Sequence, residues 1–164
     1  DYFIESRRVR AERYPELKDE LGIVVYGKDS EQLKPLVPFQ VYPLNYISNE
    51  KELIDVYNSV DLFVTPSLEE NLPNTIMEAM ACGIPCVGFQ VGGIPEMIDH
   101  LHNGYVAEYK SVEDFANGIH WILNEGEYKT LSEEACRKVS SSYSESAIAK
   151  RYIEVYNKVT GSNE

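Results

Sequence analysis

The chain has 164 residues, 43% of them hydrophobic, which is enough to bury one core and fits one domain. Its 15 Lys and Arg stand against 27 Asp and Glu, for a formal net charge of −12. This balance disfavours nucleic acid and anionic lipid as partners, because both need clustered basic residues. Three cysteines, an odd number, and no apolar run long enough to span a membrane favour a reduced, cytoplasmic setting.

Short apolar segments alternate with segments of helical periodicity, which predicts an α/β fold with a Rossmann-like parallel sheet flanked by helices on both faces. A helix-like segment, Tyr2–Tyr14, comes first. The predicted strands are, in chain order, Gly22–Tyr26, Phe39–Tyr42, Asp61–Thr65, Pro85–Phe89 and Gly104–Ala107. The predicted helices begin with a cap at Asn49, with Pro73 in a first turn and at Ser111, followed by two more over Thr130–Val139 and Ser144–Val159. We expect one domain over residues 1–160 and a frayed tail over 161–164.

The segment Pro66–Met97 reads PSLEENLPNTIMEAMACGIPCVGFQVGGIPEM and carries most of the predicted chemistry. Glu70 lies in the polar turn after a predicted strand, and Glu78 lies eight residues later in the following helix. Pro73 fits the first turn of that helix and Gly83 its left-handed end. In open parallel sheets ligands bind beyond the carboxyl ends of strands, which is where this turn is expected.

The predicted helix start is suited to an anionic ligand. The N–H groups of Asn74, Thr75 and Ile76 have no intrahelical acceptor, and the helix dipole places about half a positive charge there. A diphosphate is therefore favoured without a metal, with Glu78 placed to accept two ribose hydroxyls and Glu70 those of a hexose. A dipole-stabilising surface charge is the alternative for each Glu, and the adjacent Glu69 is expected to be a solvated charge.

The same stretch strongly resembles the donor-binding, C-terminal domain of retaining GT-B glycosyltransferases of family 4, the glycosyl transferases group 1 type. Four features match: a strand that ends in Pro-Ser (Pro66-Ser67), the E-x7-E spacing (Glu70 and Glu78), an E-A-M-A-x-G-x-P segment (Glu78–Pro85) and a G-G-x-x-E segment (Gly92–Glu96). Elements from Gly22 to Asn157 follow the same order, so the resemblance covers most of the chain.

The resemblance implies a role for each matching residue. Glu70 would act at the donor sugar as the catalytic residue that positions and stabilises without attacking, and Glu78 would hold the ribose. The other implied contacts to the sugar and diphosphate are Ser67, Asn71, Leu72, Asn74 and Thr75. Tyr46 and Ile47 would contact the nucleobase. Gly93 would lie beside the sugar, in a close-packed Gly92–Gly93 loop.

Two departures from the family pattern are visible. The common turn Glu-Gly-Phe-Gly is replaced by Glu70-Asn71-Leu72-Pro73, and Pro73 removes one backbone donor. The Arg and Lys that neutralise the diphosphate in the family, its first donor-domain strand and its acceptor domain would all precede Asp1. We therefore expect a fragment that is inactive alone and that either pairs its neighbouring strands directly or assembles with another copy as a dimer.

The resemblance implies a hexosyltransferase that uses a UDP- or GDP-sugar, needs no metal or other cofactor, and acts on a sugar hydroxyl with retention in bacterial surface polysaccharide synthesis. It would be cytoplasmic, or held at the inner face of the membrane by the missing part. The partner within the enzyme would be the missing N-terminal acceptor domain. The alternatives are an inactive nucleotide-sugar binding or interaction module and another GT-B enzyme such as an epimerase.

Cys82 and Cys86 are four residues apart, but Gly83 and Pro85 interrupt the helix between them, so no metal site is predicted.

Overall fold

The computed structural model describes residues 4–5, 21–28 and 30–161. Within them lie five strands, one 3₁₀-helix and six α-helices. The strands are β1 (Gly22–Tyr26), β2 (Gln40–Leu44), β3 (Phe63–Thr65), β4 (Cys86–Phe89) and β5 (Gly104–Ala107). The 3₁₀-helix spans Ser30–Leu36, and the α-helices are α1 (Glu50–Asn58), α2 (Asn74–Ala81), α3 (Ile94–Met97), α4 (Val112–Asn124), α5 (Tyr128–Ser142) and α6 (Glu145–Thr160).

All five strands of the described chain run parallel, in two sheets of order β1-β2 and β3-β4-β5. In the larger sheet Cys86 of β4 pairs with Phe63 on one side and Gly104 on the other. The predicted bounds of β1 and β5 are confirmed, and the other three strands differ from the prediction by no more than two residues at either end. The parallel α/β architecture follows from the sequence as expected.

Helices cover both faces of the β3-β4-β5 sheet, because side chains that alternate along β4 point to opposite faces. Cys86 belongs to one buried cluster with Tyr57 of α1, Ile76 and Met80 of α2, Ile94 and Met97 of α3 and Ala135 of α5. Val87 and Phe89 belong to a second cluster, with Phe115, Ile119 and Ile122 of α4. Every residue of β4 is buried, as expected for a doubly covered parallel strand.

The two sheets are separated by a cavity of about 840 Å³. It is lined by all five residues of β1 and by Leu62, Phe63 and Val64 around β3. The pairings of the described residues join β1 to β2 and β3 to β4 and do not join β1 to β3. The expectation that the neighbouring strands close the gap by pairing directly is therefore wrong: aromatic side chains bridge the sheets there, with Tyr57 edge-on to both Tyr26 and Phe63.

The helix ends are set by local side-chain and glycine chemistry. The side chains of Asn49, Ser111 and Ser144 each accept a backbone N–H as N-caps, and Gly83 ends α2 with φ +75°. Neither the 3₁₀-helix nor α3 was predicted from the sequence. Of the predicted segment Tyr2–Tyr14 only residues 4–5 are described, as helix, and residues 162–164 of the predicted tail also lie outside the description.

Helix α6 carries an exposed apolar stripe. Tyr152, Val155, Tyr156 and Val159 are between 58% and 80% exposed, and the helix has no buried residue. Within the described residues, this stripe is therefore not packed against a sheet of the domain.

The three cysteines are free thiols. Burial raises the pKa of the Cys86 thiol, which makes it unreactive at neutral pH. In the part of the chain that the structure describes, no helix combines the length and apolarity needed to cross a bilayer.

Candidate functional site

Two loops meet at the carboxyl edge of the β3-β4-β5 sheet. The Gly92–Gly93 turn follows β4 and lies against the backbone of Glu70 and Asn71, which follow β3; the Gly93 N–H donates to the Asn71 carbonyl over 2.6 Å. Gly92 has φ +54°, and a Cβ at Gly92 or Gly93 would overlap the backbone of Glu70 or Asn71. The loops meet because β3 and β4 are parallel neighbours, so their carboxyl ends emerge at the same edge.

The start of α2 lies directly after this loop. Pro73 is the N-cap, with φ −69° and ψ 116°, so it stands one residue before the helix and not within its first turn. The Ile76 N–H donates to the Pro73 carbonyl over 3.1 Å. The prediction that Ile76 offers a free donor is therefore wrong, and Asn74 and Thr75 remain as the N–H groups of α2 without an intrahelical acceptor.

Glu78 is exposed, but one of its carboxylate oxygens accepts a hydrogen bond from a buried side chain. The Tyr57 hydroxyl lies 3.0 Å from Glu78 Oε2, 3.1 Å from the Tyr26 hydroxyl and 3.4 Å from the Thr75 carbonyl oxygen. Burial, then the hydrogen bonds to Tyr26 and Glu78, raise the pKa of Tyr57 above its usual value of 10.0, so it stays a hydroxyl donor at neutral pH. Tyr57 was not predicted from the sequence, because no local pattern links it to a residue 21 positions later.

The other predicted site residues lie around the same edge, except Tyr46 and Ile47, which follow a strand of the smaller sheet. Ser67 is half-buried and its hydroxyl is 3.1 Å from that of Thr65, Glu70 is half-buried, and Leu72 is 39% exposed beside Gly93. Tyr46 and Ile47 follow the carboxyl end of β2; Tyr46 is 75% exposed and Ile47 is half-buried. The structure thus brings the Glu70 loop, Gly93 and the start of α2 together, and places Tyr46 and Ile47 on the smaller sheet.

One basic residue lies at the cavity between the sheets. Lys28 follows β1 by two residues, and it is the one Lys or Arg among the described residues that line the cavity, where it is joined by Tyr26, Tyr57 and Pro66. Lys28 was not predicted as a site residue; its position two residues after a predicted strand was the available signal. Among the described residues no group of three or more His, Cys, Asp or Glu could hold a metal ion.

Comparison with known proteins gives one family. The model of the family "Glycosyl transferases group 1" matches residues 3–125. An uncharacterized glycosyltransferase of Haemophilus influenzae is 30% identical over 146 residues, covering 87% of this chain and 41% of the relative. The chain therefore spans about two-fifths of the length of this curated relative.

Solved structures show the same fold. The C-terminal domain of a glycosyl transferase group 1 protein, LpcC of Francisella tularensis, superposes with a TM-score of 0.70 at 24% identity, covering 88% of this chain and 78% of that one. Anabaena HepE in complex with UDP superposes with a TM-score of 0.73 at 19% identity, covering 94% of this chain and 45% of that one. The fold is that of GT-B glycosyltransferases, and the chain belongs to the glycosyl transferases group 1 family.

Proposed function

We propose that the chain is the donor-binding part of a hexosyltransferase, which moves a hexose from a UDP- or GDP-sugar to a sugar hydroxyl with retention of configuration. The observation that carries the proposal is the backbone contact of Gly92–Gly93 with Glu70–Asn71, immediately before the start of α2. In chain order, the Glu70 carboxylate of this loop is followed by the N–H groups of Asn74 and Thr75, which have no intrahelical acceptor, and then by the Glu78 carboxylate. The UDP bound by the structural neighbour HepE supports a nucleotide ligand.

We assign the diphosphate, the hexose and the ribose to groups along this edge, and the base to residues that follow β2. The diphosphate is assigned to the N–H groups of Asn74 and Thr75, where the dipole of α2 favours negative charge. The hexose is assigned to Glu70 and to the Asn71 and Leu72 backbone, with Ser67 and Gly93 beside it. Glu78 takes the ribose, and the main chain of Tyr46 and Ile47 takes the base.

The proposed reaction needs no protein nucleophile. The bond between the anomeric carbon and the diphosphate oxygen breaks, and the acceptor oxygen bonds to the same face of that carbon. The acceptor's proton passes to the departing diphosphate, so atoms and charge balance. Glu70 positions the sugar and stabilises the positive charge that develops on it. Metal independence belongs to this proposal.

We also propose a biological role and a cellular location. The proposed role is in bacterial surface polysaccharide synthesis. The proposed location is cytoplasmic, or at the inner face of the membrane through attachment by polypeptide beyond these residues; three free cysteines support a reducing compartment. An acceptor domain beyond these 164 residues would complete the enzyme, and we propose that the chain alone does not turn over.

A nucleotide-sugar binding module without activity is the second candidate. The presence of a single Lys, Lys28, among the described residues that line the cavity favours it, because these lining residues offer no second cation to stabilise a leaving diphosphate. An epimerase or another GT-B chemistry is disfavoured by the E-x7-E spacing and the Glu78–Ala81 segment. Incubation of the longer parent protein with labelled donor and sugar acceptors separates the three: transfer, no reaction, or epimerised donor.

Saturation-transfer NMR with millimolar UDP-glucose and GDP-mannose tests binding to the chain itself. We expect one of the two to receive saturation at its ribose and hexose protons, and Glu70→Gln to weaken the hexose signals selectively. Glu69→Gln is the matched control, since Glu69 is the adjacent, exposed carboxylate. Absence of saturation transfer to both donors would refute the proposal.

A further inference from the structure

Tyr57 joins three elements behind the candidate site. It lies in the last turn of α1, is 2% exposed, and packs edge-on against Phe63 of β3 with ring centroids 6.0 Å apart. Its hydroxyl reaches Glu78 and the Thr75 carbonyl on α2 and the Tyr26 hydroxyl at the end of β1. Packing this complete around the ring leaves the hydroxyl little freedom to move.

The protons in this cluster can be assigned. A tyrosine hydroxyl has one proton to donate and can accept on its oxygen. The distance of 3.0 Å to Glu78 Oε2 is shorter than the 3.4 Å to the Thr75 carbonyl, and hydrogen bonds to carboxylates are stronger than those to neutral acceptors. Tyr57 therefore donates to Glu78, and Tyr26 donates to Tyr57, in a chain of two hydroxyls that ends on the carboxylate.

This chain of hydrogen bonds determines which carboxylate oxygen of Glu78 remains available to a ligand. Oε2 is bonded from the buried side, while the carboxylate as a whole is exposed. A free glutamate on a helix surface samples several rotamers, and fixing one costs free energy at the moment of binding. For a carboxylate that the protein already holds, part of that free energy is spent before the ligand binds, and no hydrogen bond is described at its Oε1.

We propose that Tyr57 is a positioning residue, whose hydroxyl orients the Glu78 carboxylate for the paired hydroxyls of a ribose and so sets the preference of the site for ribonucleotides over 2′-deoxyribonucleotides. This inference rests on the proposed function, which assigns Glu78 to the ribose. Tyr26 supports the same arrangement one step further from the ligand.

Competition calorimetry of the chain tests this positioning role of Tyr57. The ligands are UDP and 2′-deoxy-UDP, or GDP and 2′-deoxy-GDP if only guanine nucleotides bind. In Tyr57→Phe the ring packing is kept and one hydroxyl is lost. We expect the ribonucleotide affinity to fall about three- to tenfold, the deoxynucleotide affinity to change little, and the ratio between them to shrink. Tyr26→Phe should shift the ratio in the same direction by a smaller factor.

Tyr105→Phe is the matched control. Tyr105 donates to a carboxylate oxygen of Asp114 over 2.7 Å and packs against the core cluster on the opposite face of the sheet, so the variant loses a comparable hydrogen bond on the face away from α2. This variant should keep the wild-type ratio. In a Glu78→Gln background, Tyr57→Phe should produce no further change in the ratio.

The outcomes separate the two proposals. If the wild-type chain binds neither UDP nor GDP at millimolar concentration, the proposed function fails. If it binds a nucleotide and Tyr57→Phe keeps the wild-type ratio, or lowers both affinities equally, the positioning role is overturned. If Tyr57→Phe does not fold, Tyr26→Phe decides, and an unchanged ratio there counts against the inference.

Discussion

Gly92 lies against the Glu70 carbonyl group so closely that no side chain fits between them. The positive φ of Gly92 turns the chain after β4 directly over the loop after β3, and the Gly93 N–H completes the contact at Asn71. The position of the Glu70 loop therefore depends on two residues that carry no side chain.

Gly92→Ala tests this contact. We expect it to cost about 3 kcal/mol or more in unfolding free energy, because a left-handed φ and a backbone overlap act together. Gly161→Ala is the control: it has a similar φ of +70° with open space around it, so it should cost only about 1 kcal/mol. Denaturant unfolding of both variants gives the comparison, and equal losses would contradict the assigned overlap.

Replacing Glu70 with Ala in the longer parent enzyme should reduce turnover by about 100-fold or more, since charge stabilisation at the reacting carbon is lost. The fold should survive, because Glu70 is only half-buried and its backbone, not its side chain, contacts Gly92. Steady-state rates with Glu69→Ala as control measure the effect. Unchanged turnover in Glu70→Ala would remove its catalytic assignment.

Alkaline stability should reflect Tyr105. Burial, then the hydrogen bond to Asp114, raises the pKa of Tyr105 from 10.0 to about 12. The unfolded chain loses this proton near pH 10 and the folded chain only near pH 12, so the stabilisation is complete below pH 10 and is lost between the two values. Urea unfolding across this range should show a shallower decline with pH for Tyr105→Phe than for the wild type; parallel curves would argue against the raised pKa.

The unpaired edges of β1 and β3 favour self-association. Each strand is bonded on one side only among the described residues, and both edges face the cavity. We expect a concentration-dependent dimer by sedimentation velocity, with slower amide exchange at Val24 and Val64 as concentration rises. A monomer at all concentrations, with unchanged exchange, is the contrary result.

The local signals in the sequence were sufficient for most elements. Asn49, Ser111 and Ser144 mark helix starts, and Gly83 marks a helix end, because capping involves only residues a few positions apart. The bounds of β1 and β5 follow from short apolar runs. The same reasoning failed for Ile76, since the Pro73 carbonyl turns inward to accept its N–H, a detail of cap geometry that residue types do not specify.

By itself, the sequence determined the parallel α/β class, the order of the elements and the Glu70 and Glu78 motif, because each is written in neighbouring residues. Only the tertiary structure decided that β1 and β3 stay apart across a cavity, that Gly92 lies on the Glu70 backbone, and that Tyr57 holds Glu78. These relationships join residues distant along the chain. They depend on how the elements pack in three dimensions, which no local pattern encodes.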